Sequence, residues 1–390
     1  MNRTNAKQNN ANEAAPQGQK QATGVKPCRL KLGVDVHWAH YTVVAQYDDA
    51  SPRPAKHFTP EAFLEWVARQ AREVGRVHSC YEAGAFGYTL HRKLEALGVN
   101  NLVVRPRNWD EYGKKVKTDQ RDALALCGML DRYLGGNTGA LCVIRVPAEA
   151  EEQARSQTRQ RDSLVNDRAR LGNRGLGAAR YYGYDLPERW WRPRAFKRLA
   201  EMLPAHLHEV LERWQKILLA TDEQIEALSR AIEAARPEQL PTGLGALTAE
   251  VIDREVGDWN RFNNRRQVGS YAGLIPGEHS SGQSRHQGSL TKHGNPRVRH
   301  LLVEATWRLL RFQPDYHAVK RLTPALQEAR ARGQSERRRK LIVAIARNFA
   351  VDWWRIRTGR VEPGQLGLQM SWPSAAVLKD KAPALANPGQ

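Results

Sequence analysis

The stretch RLKLGVDVHWAHYTVVAQYDD, Arg29 to Asp49, constrains the fold of this chain more than any other. Two apolar or alternating runs flank a short polar turn, which is the pattern of a β-hairpin. Asp35 falls inside the first run, between Val34 and Val36 and close to Gly33. Aspartate is depleted from strands and costly beside a core, so an acid at this position points to chemistry. Alternation continues downstream. TPEAFLEWVARQAREVG has a Thr cap, a Pro at the first helical position and apolar residues at helical spacing. RVHSCYEAG reads as a strand ending at Glu82, GYTLHRKLEALGVN as a helix stopped by Gly98, and NLVVRP as a short buried strand. A hairpin followed by helix, strand, helix, strand and helix predicts an α/β layer on a mixed sheet.

Lys114, Lys115 and Lys117 precede a second pair of acids, Asp119 and Asp122, at the start of an apolar helical run. Positions i and i+3 share a helix face, so these two carboxylates can point the same way. Helix-start aspartates also favour the dipole, and taken alone such a pair is ordinary. Asp35 and Glu82 change that: a strand-central Asp, a strand-terminal Glu and a helical pair on one sheet supply four hard oxygen donors. Such donors suit Mg²⁺ or Mn²⁺, and a pair of these ions about 3.5 to 4 Å apart would clamp the attacking and leaving oxygens of a phosphodiester.

Charge supports the same substrate class. The 390 residues carry 61 Lys and Arg against 41 Asp and Glu, a net charge of +20, which favours a polyanion such as DNA or RNA. Cys28, Cys80, Cys127 and Cys142 form no CxxC pair, which argues against zinc or a disulfide framework. The longest apolar run, LIVAIARNFAVDWW, is interrupted by Arg347, Asn348 and Asp352, and falls short of the roughly 20 residues of a membrane span. A cytoplasmic protein is expected.

The rest of the chain divides by texture. Residues 1–28 and 361–390 read as disordered tails, with 29–147 as the acid-bearing α/β domain. Residues 148–238 hold two long charged helical stretches separated by ERWWRPRAFKRLA, a helical hairpin or coiled coil that serves as a solvated spacer or as a partner or nucleic-acid surface. A mainly α region follows from 239 to 360, opening on a helix-hairpin-helix-like LPTGLGALTAEVIDREVG. Within it, Ser280, Ser281 and Ser284 sit in a Gly-rich loop before a basic helix start, where Arg285, Lys292, Arg297 and Arg299 are candidate phosphate ligands. RARGQSERRRK, Arg330 to Lys340, is a basic cluster whose default reading is a solvated helix face, with RNA or DNA binding as the alternative.

The strand-hairpin order with Asp35, Glu82, Asp119 and Asp122 resembles the ribonuclease H-like fold in its Holliday-junction-resolvase (RuvC-like) form. Over most of Arg29 to about Arg360, the order GVDVH, YEAG, KTDQRDAL, LPTGLGALTA and YAGLIPGEHSSG…GSLTKHGNPRVRHLL resembles the insertion-sequence transposases with a DEDD tetrad, the RNA-guided (bridge-RNA or seek-RNA) recombinases. That resemblance implies that the four acids bind divalent metal and that a serine of the second domain attacks DNA. The nucleophile directly precedes the glycine of the SG motif, hence Ser281 here. It further implies a structured guide RNA, element-end and target DNA as substrates, and a homo-oligomer, dimer or tetramer, assembled through the middle helices. Glu82 is followed by Ala-Gly-Ala where family members often have Ala-Thr-Gly, and Thr291-Lys292 replaces the usual Ser-Lys, which leaves the subgroup open. The competing expectations are a junction-resolvase-type nuclease whose acids activate water, and a non-catalytic nucleic-acid-binding protein on the same scaffold.

Overall fold

A computed structural model describes residues 28–106, 118–199, 201–236, 238–281 and 284–372. Lys114, Lys115, Lys117 and the tail residues 1–27 and 373–390 lie outside the described residues. The chain forms two compact units, 1–146 and 147–390.

The first unit is built on a five-stranded sheet. Its elements run β1 (Arg29–Val36), β2 (Tyr41–Tyr47), β3 (Lys56–Phe58), α1 (Pro60–Glu73), β4 (Arg76–Glu82), α2 (Thr89–Ala96), β5 (Asn100–Val104) and α3 (Asp119–Leu134). Strand order is β3-β2-β1-β4-β5; β1 pairs antiparallel with β2 and parallel with β4. This mixed α/β order is ribonuclease H-like. The three-residue edge strand β3 is the one element the periodicity does not announce.

β1 is central and buried on both faces. Leu30, Leu32 and Val34 are fully buried and pack with Phe63 and Val67 of α1 and Leu90 and Leu94 of α2. The alternate residues of β1 meet α3 on the other face. The backbone oxygen of Ala123 would stand 2.2 Å from a Cβ on Gly33, and the nitrogen of Cys127 2.3 Å from it. Glycine at 33 is therefore what lets α3 lie directly on the strand.

The second unit contains α4 (Glu149–Tyr181), α5 (Pro193–Leu199), α6 (Ala205–Ala234), β6 (Leu240–Pro241), α7 (Ala246–Val256), α8 (Arg265–Ala272), β7 (Pro276–Ser281), β8 (Ser284–Leu290), α9 (Pro296–Phe312), α10 (His317–Ala331), α11 (Ser335–Arg357) and β9 (Met370–Ser371). The long helices set apart by their charge pattern as residues 148–238 belong to this same unit. The reason is ionic: Arg159 of α4 grips Glu255 of α7 through two bonds of 3.0 and 3.1 Å, Asp162 meets Arg297, and Arg236 contacts Glu250 and Asp253.

Two expectations are corrected. The Ser-rich loop is a β-hairpin, β7 and β8, because Ser281 pairs with Ser284 and Ser280 with Arg285. Order also persists past residue 361: Leu366 and Leu368 are buried, β9 pairs with β6, and the Gln313 amide donates to the Gln369 carbonyl at 2.8 Å. Two apolar anchors and one strand pairing overcome the local Pro, Gly and Gln composition.

Buried acids hold the second unit together. Asp222 accepts from Arg168 and from the Trp191 indole, both at 2.8 Å. Burial works to raise the pKa of Asp222 and of Glu255. The bonds from Trp191 and Arg168 outweigh it at Asp222, and those from Arg159 and Asn295 outweigh it at Glu255, so both carboxyls sit below their ordinary values. Folded carboxyls with depressed pKa contribute stability that is complete above the unfolded value of about 4 and lost as pH falls through the folded one. The thermal midpoint of this unit is expected to hold from neutrality to about pH 5 and to fall below about pH 4. The Glu255→Gln variant, already weakened, is expected to show a shallower dependence on melting.

Candidate active site

Asp35 and Glu82 occupy equivalent positions on neighbouring parallel strands. The pairing of β1 with β4 ends at Val34 and Tyr81, and the next residues along each strand are these two acids. Asp35 shares a face with Gly33, against α3, and Glu82 shares a face with Cys80, which packs with Leu126 and Leu130 of α3. Both carboxylates therefore stand on the α3 side of the sheet, half-buried at the carboxyl end of their strands.

The direction of α3 brings its own acids to the same end. Lys31 of β1 bonds Asp131, Gly33 lies under Cys127 and Ala123, and so Asp35, two residues further, lies toward the first turn that carries Asp119 and Asp122. That turn is fixed by Thr118, whose hydroxyl accepts from the Arg121 amide at 3.4 Å. Among the described residues no three His, Cys, Asp or Glu side chains are gathered tightly enough to hold a metal ion. The four carboxylates are all oxygen donors, a set that fits a hard divalent ion. Cys80 and Cys127 are buried nearby, and burial raises both thiols, Cys127 to about 11.

Aromatic residues that carry no motif of their own rim this end of the sheet. His40 Nε2 is 3.7 Å from Asp119 Oδ2, the His37 and His40 rings are 4.7 Å apart, and Thr42, paired with Asp35, has its hydroxyl 3.1 Å from His57 Nδ1. The HWAH tetrapeptide directly after Val36 was the available signal.

In the second unit Ser281 is the last residue of β7 and lies at the hairpin tip, with Arg285 across from Ser280. The exit from β8 is tightly built. Lys292 adopts a left-handed φ of 55°, and a Cβ on Gly294 would fall 2.2 Å from the Tyr271 carbonyl oxygen. Asn295 then caps α9, accepting from the amides of Arg297 and Val298 and donating to buried Glu255 at 2.8 Å. Arg297 and Arg299 serve this framework as well: Arg297 bonds Asp162, and Arg299 donates to the Lys292 carbonyl at 3.1 Å.

A cleft of about 1360 Å³ opens beside the base of the hairpin, lined by Arg265, Arg266, Lys292, Arg339, Lys340 and Arg347 among others. Lys292 was expected in such a place, whereas Arg265 and Arg266 were not singled out. Arg347, noted as a break in an apolar run, is there because its face of α11 lines this cleft.

Two family models match. One described as a DEDD-type transposase covers residues 32–179, and one described as the transposase IS116/IS110/IS902 family covers 239–321. The transposases y4qE and y4rJ of Sinorhizobium fredii are each 32% identical, over 305 and 302 residues; the alignments span 72% and 70% of this chain and 75% of each relative. The transposase for insertion sequence element IS1111A of Coxiella burnetii is 26% identical over 287 residues, 69% of this chain and 74% of its own length. Among the described residues no helix is long and apolar enough to cross a membrane. With an acid-bearing ribonuclease H-like sheet in one unit and the second family segment in the other, the chain belongs to the IS110-type DEDD family of insertion-sequence transposases, enzymes whose substrate is DNA.

Proposed function

We propose that this transposase cuts and rejoins the ends of its insertion sequence through a phosphoserine link at Ser281, with a divalent ion, Mg²⁺ or Mn²⁺, held by Asp35, Glu82, Asp119 and Asp122. The observation that supports this reading most is the position of Asp35 and Glu82 at neighbouring strand ends on the side of the sheet where α3 begins. A divalent ion held by these four acids would neutralise charge at the reacting phosphate and favour deprotonation of the nucleophile.

The serine hydroxyl attacks phosphorus and gives up its proton. The bond from phosphorus to one deoxyribose oxygen breaks, and that oxygen takes up a proton. One phosphodiester is exchanged for another, so a second deoxyribose hydroxyl can reverse the step on a new partner. A hydrolase would discard that bond energy to water. The basic cleft beside the hairpin, with Lys292 and Arg347, is suited to hold backbone phosphates. Lys114, Lys115, Lys117 and Arg285 are further candidate phosphate ligands, with Arg297 and Arg299, which bond groups of their own unit. Sequence choice is delegated to an element-encoded guide RNA, which suits a diffuse positive surface. The protein acts as a dimer or tetramer built on α4 and α6.

Excision of the element from a plasmid is the test. Asp122→Ala and Ser281→Ala are both expected to abolish it. Cutting that survives Ser281→Ala but not Asp122→Ala would make the enzyme a nuclease whose acids activate water, with Ser281 a structural residue.

A further inference from the structure

Two large aromatic side chains stand in water at the rim of the carboxylate site. Trp38 is 79% exposed and Phe86 is 43% exposed. Each follows one of the acid-bearing strands: Trp38 lies three residues beyond Asp35 and Phe86 four beyond Glu82. Their ring centroids are 6.4 Å apart with planes inclined by 32°, and His37 is edge-on to Phe86 at 6.4 Å. From Phe86 through His37 and His40 the rings run without a gap to Asp119.

Exposing this much apolar ring surface costs hydration free energy and supplies no packing to the sheet, so neither side chain is explained by the fold. A basic protein acting on a phosphodiester chain has one abundant partner for exposed rings beside its acids, the flat face of a nucleobase. Within a duplex that face is covered by its neighbours. A free face is offered where a base is unpaired or lifted from the stack, and aromatic platforms bind such bases with little regard to sequence.

We propose that Trp38 and Phe86 form a stacking platform for one unpaired DNA base, so that the strand is presented to the carboxylates next to a base held out of the duplex. This rests on the reading of the four acids as the DNA-cutting site. His37 and His40 continue the platform inward and set the distance between the held base and the acids.

The test uses the full chain in EDTA, with a single strand of about 20 nucleotides carrying 5-iodouracil, the same strand in a duplex, and an RNA strand of the same sequence. Irradiation is expected to join the DNA base to the peptide bearing Trp38 or Phe86. Trp38→Ala is expected to weaken single-strand DNA binding roughly five- to a hundredfold, with duplex binding much less changed and Trp38→Phe keeping most of the affinity. The exposure of Trp38 makes its loss harmless to folding. Asp35→Asn protein, which should not cut, is expected to keep the crosslink. Crosslinks confined to other segments, unchanged binding by Trp38→Ala, or preferential crosslinking of the RNA strand would overturn the platform. Cutting of the same DNA by Asp35→Asn in a parallel reaction with Mg²⁺ in place of EDTA would instead overturn the carboxylate reading on which it rests.

Discussion

Asp35→Asn is expected to abolish DNA cutting while leaving the protein folded. The amide keeps the shape of the side chain and removes one negative charge from the end of β1. That charge sits one strand away from Glu82, on the face where α3 begins. Removing it takes a donor from the cation site while β1 keeps its pairing with β2 and β4. Loss of an outer partner of a metal ligand costs roughly 10- to 100-fold, and loss of a ligand itself should exceed that. Strand cleavage and thermal melting, measured on one preparation, check both halves.

Gly33→Ala is expected to be the most damaging single methyl in the first unit. Its Cβ would stand 2.2 Å from a backbone oxygen of α3 and 2.3 Å from a backbone nitrogen, and neither can swing aside as a flexible side chain would. The helix must lift from the sheet, at a cost above the roughly 1–3 kcal/mol of ordinary overpacking. With about 2–8 °C lost per kcal/mol in domains of this size, the melting temperature should drop by several degrees or more. Activity should fall with it, since Asp119 and Asp122 ride on the displaced helix. Gly128 provides the contrast. It lies on the same helix with open space where its Cβ would be, so Gly128→Ala should stabilise by about 0.5–1 kcal/mol.

Much of this was legible in the sequence wherever burial is one-sided or complete. β1, β2, β4 and β5 carry continuous or alternating apolar residues, and α1, α4 and α6 carry helical periodicity, so all of them announce themselves. Asp35 was legible for the opposite reason, as an acid where a strand wants an apolar residue. The hairpin of β7 and β8 was hidden because it has little apolar alternation to display, with Glu278, Ser284, Gly288 and Ser289 all exposed. Residues 361–372 were hidden by composition, since Leu366 and Leu368 are the only strong anchors in a Pro- and Gly-rich stretch.

Side-chain use was the least legible. Arg297 and Arg299 look like phosphate ligands from their charge, yet both bond groups of their own unit. Arg265 and Arg266, which share the basic cleft with Lys292, open α8 and are separated from it in sequence by the rest of that helix and the whole hairpin. Spacing along the chain cannot reveal a cleft made by elements that meet through tertiary packing.

The most direct measurement uses cells that carry the gene with its own flanking DNA, so that any guide RNA and both DNA partners are present. The protein is isolated under denaturing conditions and the DNA that stays attached is sequenced, for wild type, Ser281→Ala and Asp35→Asn. Discrete element-end or target DNA retained by the wild type and lost in both variants is the predicted result. If Ser281→Ala keeps the same attached DNA, or if no DNA is retained by the wild type while the element still moves, the phosphoserine mechanism is wrong.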